Sequence, residues 1–233
     1  MVYCVADVHG DYDKYCKLLE KIVFSDADIL YVLGDVIDRG SDSMKLLQDM
    51  MMRPNVIPIL GNHEYMAIHC LKFLMSEITE ESIGSLDEGV IQGLLEWQNV
   101  GGQSTIDEFH RLSWDEKQDI IDYLEEFELY SEVRVNRRDY VLVHAGLDNF
   151  AVEKDLDEYE LHELIFSSPD YFRVYYPDKY LVTGHTPTRN ILDNPKSDYI
   201  YMANNHIAID CGCAFGGRLG AICLDTGEEF YVE

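Results

Sequence analysis

Basic residues are scarce in this chain. Its 18 Lys and Arg stand against 44 Asp and Glu, a formal net charge of −26. Tracking along a nucleic acid or lying on an anionic membrane needs a basic surface, so extended nucleic-acid binding and membrane binding are excluded. A bound phosphate is not excluded, because divalent cations invert the field of a site whatever the global charge. Long apolar runs are missing, and none approaches the length of a membrane span. Met1 leads straight into a strand pattern with no basic segment before an apolar stretch, so no signal peptide is visible and a cytoplasmic location is expected. No Cys-x-x-Cys pair occurs among Cys4, Cys16, Cys70, Cys211, Cys213 and Cys223, which are expected to be reduced and mostly buried. Cys211 and Cys213 lack the two further ligands of a structural zinc site and are read as structural. Internal repeats, low-complexity tracts and Pro/Gly/Ser-rich linkers are absent too. A single domain over residues 1–233 is expected, with a composition, 47% hydrophobic and 27% charged, ordinary for a globular protein.

What is present is a repeated pattern at the ends of apolar runs. Ile29-Leu30-Tyr31-Val32-Leu33 leads into Gly34-Asp35-Val36-Ile37-Asp38-Arg39-Gly40. Val2–Ala6 leads into Asp7-Val8-His9-Gly10, and Val56–Leu60 into Gly61-Asn62-His63-Glu64. Tyr140–Val143 leads into His144-Ala145-Gly146, and Tyr180–Thr183 into Gly184-His185. One His at a strand end is more often structural than a ligand. Five strand ends that each place Asp, His or Asn beside Gly are hard to explain by packing, and strand C-terminal ends are where open α/β sheets bind ligands.

Residues 1–63 read as β-α-β-α-β, with helical patterns near 11–23 and 41–52 and a parallel sheet. Helical spacing dominates roughly 64–127, interrupted by polar stretches near 76–89 and 101–103. This is expected to be a mainly helical insertion over the sheet edge. Strands are expected near 130–135, 139–143, 180–183, 206–210, 219–224 and 229–232, with a helix over 155–166. The fold class that follows is α/β, with two packed sheets and helices outside them.

The residues gathered at the strand ends suit metal chemistry. Asp7 and His9, two apart on a segment read as extended, can face one cation, and Asp35 can bridge two. Asn62, His144 and His185 add neutral donors. Mixed nitrogen and oxygen ligation without thiolate suits Mn, Fe or Zn. Six ligands exceed one tetrahedral site but divide into two around a shared Asp35. Two metals about 3.5–4 Å apart clamp both oxygens of an in-line displacement and bring the pKa of a bound water from 15.7 to about 7, giving hydroxide. His63, diverging from Asn62 in a turn read as extended, can protonate a leaving alkoxide, with Asp38 holding its imidazole. Arg39 can bind phosphoryl oxygens. His69, His110, His162 and His206 lack such a context and are read as structural.

Together, Asp7-x-His9-Gly10, Gly34-Asp35-x-x-Asp38-Arg39-Gly40, Gly61-Asn62-His63-Glu64, His144-Ala145-Gly146 and Gly184-His185 resemble the calcineurin-like metallophosphoesterases. The Asp38-Arg39-Gly40 and Gly61–Glu64 forms are similar to the phosphoprotein phosphatase branch. The stretch from Asp210-Cys211-Gly212 to Leu219 looks like the bacterial and phage-lambda-type serine/threonine phosphatases, and symmetrical diadenosine tetraphosphate hydrolases share the signature.

The resemblance implies a β-sandwich of two mixed sheets flanked by helices. It implies Asp7, His9 and Asp35 at a first metal, and Asp35, Asn62, His144 and His185 at a second. It further implies Mn²⁺, or Fe with Mn or Zn, with His63 as general acid paired to Asp38 and Arg39 on phosphate. One departure stands out. Relatives carry a second phosphate-binding Arg between the two late histidines, where this chain has Ser168, and Arg173 is the only Arg from 145 to 184. Arg39 is therefore expected to be the main phosphate-binding arginine. The leading expectation is a phosphatase acting on phosphoserine or phosphothreonine in proteins. The alternatives are a dinucleoside polyphosphate hydrolase and a metal-binding scaffold without catalysis.

Overall fold

Alternation along each strand decides what covers each side of each sheet. In the computed structural model, which describes residues 1–76 and 88–233, Tyr3 and Val5 of β1 (Val2–Val5) and Leu30 and Val32 of β2 (Ile29–Leu33) face a core shared with helices. Their neighbours Cys4, Ala6, Tyr31 and Leu33 face a different core. That second core also holds Tyr140 and Leu142 of β5 (Arg138–Val143), so it lies between two sheets. Val141 and Val143 point the other way, onto Leu164, Ile165 and Tyr175. Side chains of period two thus bury both faces of both sheets.

One sheet runs β10 (Glu229–Val232), β9 (Leu219–Cys223), β1, β2, β3 (Val56–Ile59), with β1, β2 and β3 parallel and the other pairings antiparallel. The other runs β4 (Tyr130–Val135), β5, β6 (Lys179–Thr183), β8 (His206–Ala208), β7 (Tyr201–Ala203), parallel through β5, β6 and β8. Both sheets are mixed, as the expected fold class requires. Helices α1 (Tyr12–Lys21) and α2 (Ser43–Met51) are the crossovers between the first three strands. Asp11 caps α1, its Oδ1 accepting from Lys14 N at 3.0 Å. No helix among the described residues is long and apolar enough to cross a membrane.

The helical insertion is present, with α3 (Asn62–Met75), α4 (Glu88–Trp97), a π-turn (Gln98–Gly102), α5 (Gln103–Phe109) and α6 (Trp114–Glu125). Most of the polar stretch expected at 76–89 lies outside the described residues. The helix expected over 155–166 is instead a 3-10 turn, Leu156–Glu158, and a short α7, Leu161–Ile165. Tyr159 and Glu160 between them are extended, at ψ 134° and 147°, and Glu163 caps back onto Glu160, restarting the helix. The β7 strand has no counterpart in the sequence reading, being three residues long with little apolar alternation. The strand expected over 206–210 ends at Ala208.

Leu33 is fully buried between the sheets. Leu33→Ala should cost about 2–5 kcal/mol of unfolding free energy, measured by denaturant unfolding. A loss below about 1 kcal/mol would contradict close packing of the two sheets at that point.

Candidate functional site

Every candidate residue lies where a strand ends or a helix begins, and much of that backbone is in an uncommon conformation. Asp7, His9, Asp35, Asp38, Arg39 and His185 have φ between 49° and 74°. Positive φ is uncommon for non-glycine residues and costs of order 1–3 kcal/mol where it must be held. It also corrects the expectation of an extended Asp7–His9 segment, which turns sharply instead. Asn62 and His63 likewise are not in an extended turn but open α3. Adjacent helical residues point about 100° apart, which still separates their side chains.

The side chains converge on Asp35, 3% exposed. Its Oδ2 lies 3.6 Å from His9 Nε2 and 3.8 Å from His63 Nε2, and its Oδ1 3.3 Å from His144 Nε2. Two His/Asp groups result, His9–Asp35–His63 and Asp35–His144–His185, and both include Asp35. Asn62 Oδ1 joins the second at 3.0 Å from His144 Nε2. Asp7 is buried beside the site, its Oδ2 accepting from His185 N at 2.9 Å. Neither group includes a cysteine.

Tautomers follow from the hydrogen bonds. His144 Nδ1–H donates to Leu33 O at 2.8 Å and His9 Nδ1–H to Ile37 O at 2.9 Å. In a neutral imidazole the Nε2 atoms are then bare lone pairs. Burial keeps both rings neutral, lowering His144 and bringing His9 down to about 3. Burial with the neighbouring His144 brings His185 down to about 4. The His144 Nε2 lone pair therefore faces Asn62 Oδ1 and an Asp35 oxygen, acceptor against acceptor with no proton between. A buried donor set of this composition fits a pair of divalent cations. Burial pushes the Asp35 carboxyl up, but His144, His63, His9 and His185 outweigh it and hold it below the usual range. Asp7 is raised by burial and by the nearby Asp210 and Asp35 carboxylates. The crowding of carboxylates at Asp7 is a field a cation would relieve.

His63 and Asp38 form a tight pair, Nδ1 to Oδ2 at 2.6 Å. Burial lowers the His63 pKa, but Asp35 and Asp38 overcome this and raise it above its ordinary value. Arg39 spans the centre, with Nη1–H donating to His9 Nε2 at 2.6 Å and its Nη2 lying 3.1 Å from His63 Nε2. Arg173 is elsewhere. Its guanidinium lies 4.8 Å from the Phe150 ring and 5.7 Å from the Tyr175 ring. The arginines lining the cleft above Asp35 are Arg39 and Arg189.

Several supporting residues escaped the sequence reading. Glu64 is fully buried, and its carboxylate accepts from the backbone N–H groups of Asp35, Val36, Ile37 and Gly61 at 2.7–3.2 Å. It ties the start of α3 to the Asp35 turn. Burial and Asp35 push its pKa up to about 7, against those four donors. Gly34 (φ 71°) fits between the two elements because a Cβ there would lie 2.5 Å from His144 Nδ1. The insertion contributes more. Trp97 Nε1–H donates to Asp38 Oδ2 at 2.7 Å, and the Thr105 hydroxyl to Asp38 Oδ1 at 2.6 Å. Arg39 N–H donates to Gly101 O at 3.1 Å and its Nε–H to Val100 O at 3.2 Å. Gly101, at φ 120°, leaves no room for a Cβ beside Arg39 Cγ. The visible signal was a Trp and a Gly-Gly pair within six residues of an otherwise helical stretch.

Of the histidines read as structural, His69 and His162 sit with Tyr65 and Phe166, and His206 is buried against Thr183. His110 lies just beyond α5.

The calcineurin-like phosphoesterase family profile matches residues 1–209. This chain belongs to that family. It is 25% identical to the asymmetrical bis(5′-nucleosyl)-tetraphosphatase PrpE of Halalkalibacterium halodurans, over 94% of this chain and 87% of that one. It is 45% identical to the symmetrical bis(5′-nucleosyl)-tetraphosphatase of an Acidovorax species over 65 residues, 27% of this chain and 23% of that protein. Among solved structures it superposes with TM-score 0.68 and 19% identity on a protein described as a candidate diadenosine tetraphosphatase, covering 99% of this chain and 92% of the other. The family and the two His/Asp groups make the chain a metal-dependent hydrolase. The branch of protein phosphatases favoured by the motif forms is not the one these relatives represent.

Two outcomes are expected. Asp35→Asn should reduce bound metal from two ions toward one or none, read by elemental analysis of the purified protein, and full occupancy would remove Asp35 from its bridging place. Trp97→Phe keeps the packing but deletes one donor to Asp38. It should lower kcat by up to about 10- to 150-fold, the roughly 1.5–3 kcal/mol that a charge-assisted bond is worth, while metal content stays the same. Unchanged kcat would mean that Thr105 alone suffices to orient Asp38.

Proposed function

We propose that this member of the calcineurin-like phosphoesterase family hydrolyses dinucleoside polyphosphates of the bis(5′-nucleosyl) tetraphosphate kind. The observation that carries the substrate class is the similarity to a tetraphosphatase along nearly the whole of both chains. The cleft agrees with it, because two arginines line it in a protein of net charge −26, which suits a substrate with several phosphates.

Asp7, His9 and Asp35 would hold one divalent cation, and Asp35, Asn62, His144 and His185 the other. Cations bound there would supply neutralisation of phosphoryl charge and acidification of water. The chain's own residues do the rest. Arg39 donates to phosphoryl oxygens as charge develops on them. His63, protonated at Nε2, gives that proton to the leaving oxygen. Asp38 accepts from Nδ1–H, fixes the tautomer, and stabilises the charged ring before transfer. Trp97 and Thr105 hold Asp38 in place. The second reading, a phosphoserine or phosphothreonine protein phosphatase, is favoured by the Asp38-Arg39-Gly40 and Gly61–Glu64 motif forms.

The deciding experiment assays one purified sample, reconstituted with Mn²⁺, on diadenosine tetraphosphate and on a phosphoserine peptide. The expected result is a kcat/KM at least tenfold higher for the dinucleotide. Products separate the modes of cleavage, two ADP for the symmetrical and ATP with AMP for the asymmetrical. A preference for the peptide would overturn the proposal in favour of the second reading. His63→Asn should cut kcat on the dinucleotide by about 10²–10⁴-fold and leave metal content unchanged. A loss under threefold would exclude His63 as proton donor.

A further inference from the structure

The cleft above Asp35, about 330 Å³, carries an exposed aromatic ring that the chemistry so far does not use. Phe215 is 51% exposed and lies on the cleft wall with its ring centre 4.8 Å from Arg39 Cζ. Exposed phenylalanines scattered singly need no explanation. This one differs in lying beside the phosphate-binding candidate and in being held firmly. It closes the 3-10 turn Cys213–Phe215, which sits between two left-handed glycines, Gly212 and Gly216. Phe215 N–H and Gly217 N–H both donate to Gly212 O, at 2.9 and 2.8 Å. Arg189, which also lines the cleft, donates from Nη1–H to Phe215 O at 3.2 Å and from Nε–H to Asp198 at 2.5 Å. An ion pair on one side and a backbone carbonyl on the other make Arg189 the pin that fixes the turn. The wall thus offers, next to Arg39, a flat apolar surface already in position, so binding does not have to order it.

We propose that Phe215 is the stacking platform for a nucleobase of the substrate. The choice of ligand rests on the dinucleoside polyphosphate reading. A phosphoryl group at Arg39 then puts its attached nucleoside within the same cleft as the ring. Stacking of this kind tolerates any base, because every base has a π-face. The subsite therefore selects nucleotides over phosphopeptides without selecting adenine over guanine.

The competing explanation is that Phe215 merely braces Arg39. Binding of a non-hydrolysable pair separates the two: adenosine 5′-methylenediphosphonate, and methylenediphosphonate without the nucleoside. Both are titrated calorimetrically into the Mn²⁺-loaded enzyme. Wild type should bind the nucleoside-bearing compound roughly 5- to 150-fold more tightly than the bare one, the range set by one base stacked on an aromatic ring. Phe215→Ala should abolish that difference and leave affinity for methylenediphosphonate within twofold. Phe215→Trp should restore it. Equal affinities in wild type, or an equal weakening of both compounds in Phe215→Ala, would overturn the proposal, the latter being the bracing result. Turnover of diadenosine tetraphosphate by the same wild-type sample keeps the outcomes apart. Turnover without nucleoside discrimination removes the Phe215 subsite and leaves the function standing. Discrimination without turnover keeps the subsite and removes the function.

Discussion

Acceptors crowded around one buried carboxylate set the terms for the rest of this structure. Asp35 shares its oxygens between two groups of imidazoles, and the Nε2 atom of His144 meets it as a bare lone pair. Such a set is self-repelling, and taking it out of water adds several kcal/mol per charge unless something positive is bound. It persists because its supports are numerous. Leu33 and Ile37 carbonyls fix the two tautomers, Glu64 gathers four backbone N–H groups behind Asp35, and six site residues accept left-handed backbone. Each support constrains direction, so the donor atoms are aimed at common points.

The helical insertion reaches the candidate site as well as covering the sheet edge. Asp38 has its Oδ2 on His63 and Trp97 and its Oδ1 on Thr105, and two of those three partners come from the insertion. Its π-turn also carries the carbonyls of Val100 and Gly101 that seat Arg39. Gly101, at φ 120°, breaks the helix at this point, so the two carbonyls lie at a kink between two helices. The orientation of Asp38 and the seating of Arg39 are thus set from about sixty residues away in the sequence.

Charge is distributed to the same end. A surplus of acids over the surface repels polyanions at long range, though salt screens this beyond about 8–10 Å. Attraction is confined to the cleft, where Arg39 and Arg189 stand above the cation-binding groups. Binding of a phosphate group there would depend on bound cations, since the cleft floor is otherwise Asp35 with its histidines kept neutral by burial. The apolar Phe215 wall adds a contribution that charge cannot, because stacking is insensitive to the net field.

The sequence by itself determined which residues could carry metal chemistry and where the main strands run. Glycine beside Asp, His or Asn after an apolar run is a local pattern, and strand periodicity is local too. The paired sheets followed from a parallel β-α half joined to a strand-rich second half. Local patterns break down where the outcome depends on distant partners. The helix over 155–166 looked continuous, but Glu163 capping onto Glu160 divides it. The Asp7–His9 and Asn62–His63 segments looked extended, but the first turns through left-handed φ and the second starts a helix. Glu64, Trp97, Thr105 and Gly101 act through contacts made across 3 to 67 positions, with no spacing rule to announce them. Arg173 and Arg189 are alike as sequence features. Only tertiary packing decided that Phe150 and Tyr175 hold one guanidinium away, while Asp198 and the Phe215 turn hold the other in the cleft.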